Sequence, residues 1–237
     1  MWKKNDFKKW IDEGRPINEN VIELNISFSN IETLGNLENL VNLKKLYCYY
    51  NKLKSLKGIE NLINLKHLYC NNNQLTSSEG IENLINLKHL YCNYNQLTSL
   101  EGIEKLINLE HLYCYYNQLT SLEGIKNLIN LEYLYCFNNQ LTSLEGIENL
   151  INLEYLYCFN NQLTSLEGIE IFVKLIKNNK HIKKNMKYNF IDSNDFVELE
   201  EIFDNLIKSK INDFDKSIIK IEKNIEELNG FQNYVLK

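Results

Sequence analysis

The chain has 237 residues, 44% apolar and 24% charged, with a net charge of −5, a balance that suits a globular fold, does not make disorder the default and excludes a strongly basic chain. Met1 to Asp12 alternates lysines with aromatics and holds no apolar run of secretory-signal length, and no window approaches a membrane span, so a cytosol-like, reducing compartment is expected. The 38 Asn, the single Arg15, the single Pro16 and the absence of Ala point to AT-rich coding DNA, so Asn abundance alone carries no functional weight.

The first predicted element is a short amphipathic helix from Asn5-Asp6-Phe7 to Glu13, ended by Gly14, with Trp2, Phe7, Trp10 and Ile11 on its apolar side. Both Trp residues of the chain fall here. Segment 1–20 is expected to cap the structure that follows it rather than to hook a membrane.

From Val21 the chain becomes periodic. The pair Tyr-Cys recurs at Tyr47-Cys48, Tyr69-Cys70, Tyr91-Cys92, Tyr113-Cys114, Tyr135-Cys136 and Tyr157-Cys158, a period of 22 without insertion or deletion. Seven units start at Val21, Leu43, Leu65, Leu87, Leu109, Leu131 and Leu153 and span 21–169. The first is degenerate: Leu24 and Ile26 keep the inward positions, while Ser29 replaces an Asn and Asn25-Ile26 stands for Tyr-Cys. A divergent end unit is what an array needs to cover its open core.

Each regular unit carries LxxLxCxxNxL, as in Leu65, Leu68, Cys70, Asn73 and Leu75. This pattern resembles the leucine-rich repeat family, and the stretch LTSLEGIENLINL is similar to its 22-residue subclass, found in phosphatase-regulatory subunits and bacterial internalins. The chain also resembles the repeat proteins that large AT-rich DNA viruses of amoebae encode in many copies. The resemblance covers about two thirds of the chain. It implies an α/β repeat solenoid, a horseshoe with a concave parallel β-sheet, here with a short N-terminal helical cap and an α-helical C-terminal segment.

Alternation along each strand turns Leu68 and Cys70 inward and Tyr69 outward, and in-register stacking at about 4.8 Å makes columns of equivalent residues. The column Asn51, Asn73, Asn95, Asn117, Asn139 and Asn161 follows the strand, where an amide can satisfy buried backbone groups that would otherwise cost about 1–3 kcal/mol each. Gly58, Gly80, Gly102, Gly124, Gly146 and Gly168 read as backbone devices at a tight convex turn. The six Cys recur only once per unit, which is no zinc spacing, and parallel in-register side chains suit a disulfide poorly. A buried thiol ladder is expected.

The outward positions carry the functional expectation. Of 24 such sites in the six regular units, 15 are aromatic, against 25 Tyr and Phe in the whole chain. Tyr47, Tyr69, Tyr91, Tyr113, Tyr135 and Tyr157 form one column, with Tyr133 and Tyr155 beside it. Tyr49, Tyr115, Phe137 and Phe159 form another, and Tyr50, Tyr94 and Tyr116 a third. Column mates can stack on one another and still leave a patch on the order of 1,000 Å², above the largest apolar patch of an ordinary monomer. Two further columns, Lys44, Lys66, Lys88, Glu110, Glu132, Glu154 and Lys45, His67, His89, His111, Tyr133, Tyr155, grade the face from basic to acidic and aromatic. Three adjacent His invite a metal or pH-sensing reading, but no carboxylate or Cys closes a ligand shell around them, and no metal or cofactor is expected.

After Ile169 the period becomes helical over 170–237. Ile171, Phe172, Leu175, Ile176 and Ile182 come first, then a helix capped by Asp192 or Ser193. Ile207, Ile211, Phe214, Ile218, Ile221, Ile225 and Leu228 follow with coiled-coil spacing. This segment is expected to cap the last unit or to project and form a homodimer through 207–228. Lysines over 174–187 and acids over 192–204 compensate one another.

No nucleophile, base and phosphate-loop constellation is present, so an enzyme is not expected. Nucleic acid is disfavoured by the acidic units and single Arg. The leading expectation is a scaffold that binds a protein through the concave aromatic face. The alternatives are a structural or oligomerising role for the C-terminal helices, and a regulatory subunit of an enzyme such as a phosphatase.

Overall fold

The computed structural model describes residues 1–158 and 160–163. Phe159, Gly168 and the expected helices over 170–237, including the 207–228 seam, lie outside the described residues.

Among the described residues, eight short strands form one parallel sheet in sequence order. They are β1 (Trp2–Lys3), β2 (Glu23–Asn25), β3 (Lys45–Tyr47), β4 (His67–Tyr69), β5 (His89–Tyr91), β6 (His111–Tyr113), β7 (Tyr133–Tyr135) and β8 (Tyr155–Tyr157). From β2 onward every residue pairs with its equivalent in the next unit, as in Leu68↔Leu90 and Tyr69↔Tyr91. This is a leucine-rich-type solenoid of about seven turns, as the period predicts. In β2 to β8 the middle residue is buried and its two neighbours are half-buried, which is the alternation a one-sided sheet requires.

The expected asparagine column works as a bracket between units. The Nδ2 of Asn95 donates to the carbonyls of Cys92 (3.0 Å) and Cys70 (3.1 Å), and its Oδ1 accepts the Leu75 N–H at 3.0 Å. Asn73, Asn117, Asn139 and Asn161 repeat the set. At the array's start, Asn51 serves the N–H groups of Ser29 and Ile31. A second asparagine column was not foreseen. Asn42, Asn64, Asn86, Asn108, Asn130 and Asn152 each donate to the carbonyl 23 residues earlier, at 2.8–2.9 Å. The residues just before them, Val41, Ile63, Ile85, Ile107, Ile129 and Ile151, form an exposed aliphatic column that the sequence reading did not single out.

In four units a carboxylate finishes the tight turn at the glycine. The Gly58 N–H donates to Glu60 at 2.7 Å and Gly58 sits at φ 104°, where a side chain would also collide with the Gly35 carbonyl. Gly80, Gly102 and Gly146 keep this arrangement with Glu82, Glu104 and Glu148. Lys126 stands where the next acid would be. There Gly124 falls instead inside a 3₁₀ turn, Glu123–Ile125, without a positive φ.

The N-terminal helix α1 (Lys4–Asp12) matches the expected cap, with two corrections. Trp2 belongs to β1 and pairs with Leu24, because the open edge of β2 offers backbone hydrogen bonds that a helix start cannot use. Ile11 is exposed, so the apolar side is Phe7 and Trp10. Trp10 is buried, donates its Nε1 to the Pro16 carbonyl at 2.7 Å, and packs against Phe7 at 5.8 Å and Trp2 at 6.2 Å.

One unit is underfilled. Leu56, Leu100, Leu122 and Leu144 fill equivalent core positions where the third unit has Ser78. The buried Ser78 hydroxyl donates to the Glu101 carbonyl, beside a void of about 10 Å³ lined by Leu56, Leu75, Ile81, Leu97 and Leu100. Ser78→Leu is expected to stabilise the protein by about 1–2 kcal/mol and to raise the thermal midpoint by about 2–8 °C. Thermal unfolding followed by circular dichroism checks this. A lowered midpoint would mean that the turn has already closed onto the serine.

Candidate functional site: the outward face of the sheet

The outward face is built by the positions on either side of each buried strand leucine, and its central column is continuous. Tyr47, Tyr69, Tyr91 and Tyr113 stack at 4.4–4.6 Å with interplanar angles of 6–18°. Tyr135 and Tyr157 continue the spacing at 4.4–4.6 Å but tilt by 50–57°. Offset stacks of this kind contribute about 0.5–1.5 kcal/mol per pair, so the rings are held in place before any ligand arrives. Burial raises the phenols of Tyr69, Tyr91 and Tyr113, and Tyr135 is pushed up to about 12. These four phenols therefore stay neutral near neutral pH.

The neighbouring column begins with Lys45 and continues as His67, His89, His111, Tyr133 and Tyr155. The imidazoles of His67 and His89 meet edge to face at 4.5 Å, and those of His89 and His111 stack at 4.1 Å. Tyr133 joins His111 at 4.3 Å and Tyr155 at 4.5 Å. Burial lowers all three histidines, and for His89 the neighbouring His111 and His67 add to it and bring the value to about 4. The Glu110 carboxylate, 3.8 Å from His89 Nε2, opposes this without reversing it. The Nδ1 atoms of His67 and His111 are buried without a partner, which suits neutral rings carrying the proton on Nε2. Among the described residues no group of three or more His, Cys, Asp or Glu is placed to hold a metal ion.

The remaining aromatics separate into two clusters where the sequence reading placed one field. Tyr49 and Tyr50 join Phe28, stacked on Tyr50 at 4.7 Å and edge-on to Tyr49 at 5.4 Å. Tyr94 and Tyr116 stack at 4.6 Å and join Tyr115 and Phe137, themselves stacked at 4.4 Å. Asn71, Asn72 and Asn93 separate the clusters. Phe28 is a site residue that the sequence reading missed, although it holds the position equivalent to Tyr50 one unit earlier. At 68% exposure it is among the most exposed apolar side chains of the face.

The charge gradient is partly neutralised internally. Lys45 pairs with Glu23 at 2.9 Å and Lys88 pairs with Glu110, which leaves Lys44 and Lys66 towards one end and Glu132 and Glu154 towards the other. Beneath the face the six thiols are buried and free, as expected. Burial pushes Cys48, Cys92 and Cys158 up to about 12, so they carry no thiolate near neutrality. Cys48 and Cys70 donate weakly to the Tyr69 and Tyr91 carbonyls at 3.4 Å. Among the described residues no helix is long and apolar enough to cross a membrane.

The sequence profile described as leucine-rich repeats (2 copies) matches residues 41–84, 63–105, 85–127 and 129–171. Among solved structures, an internalin from Listeria monocytogenes is similar at 26% identity and a TM-score of 0.58, over 65% of this chain and 45% of that one. A second internalin from the same species matches at 25% identity and a TM-score of 0.63, over 71% of each chain. A leucine-rich repeat protein of Leptospira interrogans matches at 30% identity and a TM-score of 0.64, over 74% of this chain. The chain spans 45% of the length of the first internalin and of the Leptospira protein. No curated protein matches the chain.

The imidazole ladder makes stability depend on pH. A histidine held below its ordinary value binds fewer protons folded than unfolded, so its contribution is complete above about 6.5 and is lost as pH falls towards about 4. The thermal midpoint is expected to fall from about pH 7 to pH 5. In a His67→Tyr, His89→Tyr, His111→Tyr variant, which extends the Tyr133–Tyr155 stack, that fall should be clearly smaller. Equal falls would contradict the assignment.

Proposed function

Because the chain belongs to the leucine-rich repeat family, whose solenoids typically serve as protein interaction scaffolds, we propose that it is a non-catalytic scaffold binding a protein partner on the concave, Tyr-rich face of its sheet. The observation that carries this reading is the stacked aromatic surface itself. Tyr47, Tyr69, Tyr91, Tyr113, Tyr135 and Tyr157 are held by their neighbours at ring contact. A partner meeting them has little side-chain entropy left to remove. Phe28, Tyr50, Tyr94 and Tyr116 supply the more exposed anchors at 44–68%. His67, His89, His111, Tyr133 and Tyr155 form the second, neutral half of the surface. Tyr49, Tyr115 and Phe137 complete it, and Phe159, outside the described residues, is expected to continue their column by its period.

The organisation we propose is a cap over 1–20, seven units of 22 over 21–169, and a C-terminal segment over 170–237 that caps the array or forms a homodimer. Membership of the 22-residue, internalin-like subclass and an origin in a large AT-rich virus belong to the same reading, with the cytoplasm, or a host cytoplasm, as its place. A non-catalytic role is supported by buried thiols and by imidazoles that meet other rings instead of a nucleophile. With 280 matching chains of solved structures, the fold is used too widely to select the partner by itself.

Replacing Tyr91, Tyr113 and Tyr135 with Ser should reduce capture of the partner in an affinity pull-down by at least about tenfold, each lost ring being worth about 1 kcal/mol or more. The core beneath should keep its fold, checked by circular dichroism. An unchanged set of captured proteins would remove the concave face from the account and favour oligomerisation through the C-terminal segment.

A further inference from the structure

One column of the outward face is aromatic on both sides of a single gap. From the first unit onward it reads Phe28, Tyr50, Asn72, Tyr94, Tyr116, Asn138 and Asn160. Phe28 and Tyr50 stack at 4.7 Å with 10° between planes, and Tyr94 and Tyr116 at 4.6 Å with 10°. One rung of the column is therefore one ring thick. Tyr50 and Tyr94 stand two rungs apart, and only the shorter side chain of Asn72 lies between them. The gap opens to solvent, since Tyr50 is 52% and Tyr94 44% exposed.

Both walls of the gap are braced. Tyr49 meets Tyr50 edge-on at 6.0 Å, and Tyr115 meets Tyr94 edge-on at 5.5 Å. Amides border the gap in register, with Asn72 at its own position and Asn71 and the buried Asn93 in the adjoining column. Farther along the column neighbouring amides satisfy one another, with Asn160 Nδ2 donating to Asn138 Oδ1 at 2.9 Å. Asn72 is denied that arrangement, because its column neighbours are the two tyrosines. Towards this end of the array the outward positions of 44–52, 66–74 and 88–96 carry five lysines, of which Lys45 and Lys88 are paired with Glu23 and Glu110, leaving Lys44, Lys52 and Lys66 to set a positive field.

We infer that the rung above Asn72 is a slot for a neutral aromatic side chain set in an acidic segment of the protein partner. The ring stacks between Tyr50 and Tyr94, its edge meets the bordering amides, and the flanking carboxylates face the lysines. A guanidinium would also stack on tyrosine, but it would meet the charge of Lys44, Lys52 and Lys66, while Glu23 and Glu110 are already held by Lys45 and Lys88. This inference rests on the concave-face reading and names the partner's chemistry within it.

The variant that tests it is compatible with the fold. Asn72 has φ 55°, and Tyr50, Tyr94 and Tyr116 occupy the same column at φ 52–53°, so Asn72→Tyr fills the slot with a ring in a backbone conformation the array already accepts. The probes are the capped tripeptides Glu-Tyr-Glu, Glu-Ser-Glu and Glu-Arg-Glu, titrated into the ¹⁵N-labelled full chain by NMR. The Tyr peptide should produce saturable ring-current shifts at the Asn71, Asn72 and Asn93 amides. The Ser and Arg peptides should bind at least about fivefold more weakly. Asn72→Tyr should abolish the response, and Asn138→Tyr, which adds a ring to the same column outside the slot, should keep it. No response to the Tyr peptide, equal affinity for the Arg peptide, or an unchanged response in Asn72→Tyr would overturn the slot. None of these results would alter the pull-down with the triple Ser variant, which tests the face separately.

Discussion

The structure depends on one bridge, made by an asparagine amide between consecutive units. Its Nδ2 reaches the cysteine carbonyl three residues back and the equivalent carbonyl of the preceding unit, while its Oδ1 receives a leucine N–H of that unit. A neutral amide is well matched to this position because it brings donor and acceptor together without a charge to desolvate. It also ties the turn after each strand to the turn before it at one fixed offset. A slip of one residue would strand two carbonyls and an N–H in the interior, at a cost of about 1–3 kcal/mol each.

Once that offset is set, the chemistry of the face follows from copying. Equivalent side chains are brought to 4.1–4.7 Å, which is ring-stacking distance, so a column of identical aromatics becomes a stack. The same proximity discourages charge. Three imidazoles at this spacing stay neutral, and phenols beside phenols resist ionisation. At Lys88 and Glu110, where the column from Lys44 to Glu154 changes sign, opposite charges meet across a unit boundary and pair. The result is a preformed, largely neutral surface flanked by lysines towards one end and glutamates towards the other.

Much of this could be read from the sequence because the period is strict and its phase sorts inward from outward residues. Cys70, Tyr69 and Asn73 each took the place that alternation and turn chemistry assign them. What escaped has physical reasons. β1 is two residues long and owes its existence to the open edge of β2, a long-range cause that local pattern does not carry. Phe28 sits in the degenerate unit, where the missing Tyr-Cys pair concealed a ring in register with Tyr50. The second asparagine column was obscured by composition, since an AT-rich coding bias makes any one Asn look incidental. The division of the aromatic field depends on which rungs hold Asn, and that becomes visible only when units are aligned as neighbours in space.

The bridge can be observed directly by exchange of its own protons. In the ¹⁵N-labelled protein, the side-chain amide hydrogens of Asn73, Asn95, Asn117 and Asn139 should exchange with solvent far more slowly than those of Asn72, and at a rate shared among them, because releasing one requires opening the stack. Exchange of the four as fast as that of Asn72 would contradict the claim that these amides hold the units in register.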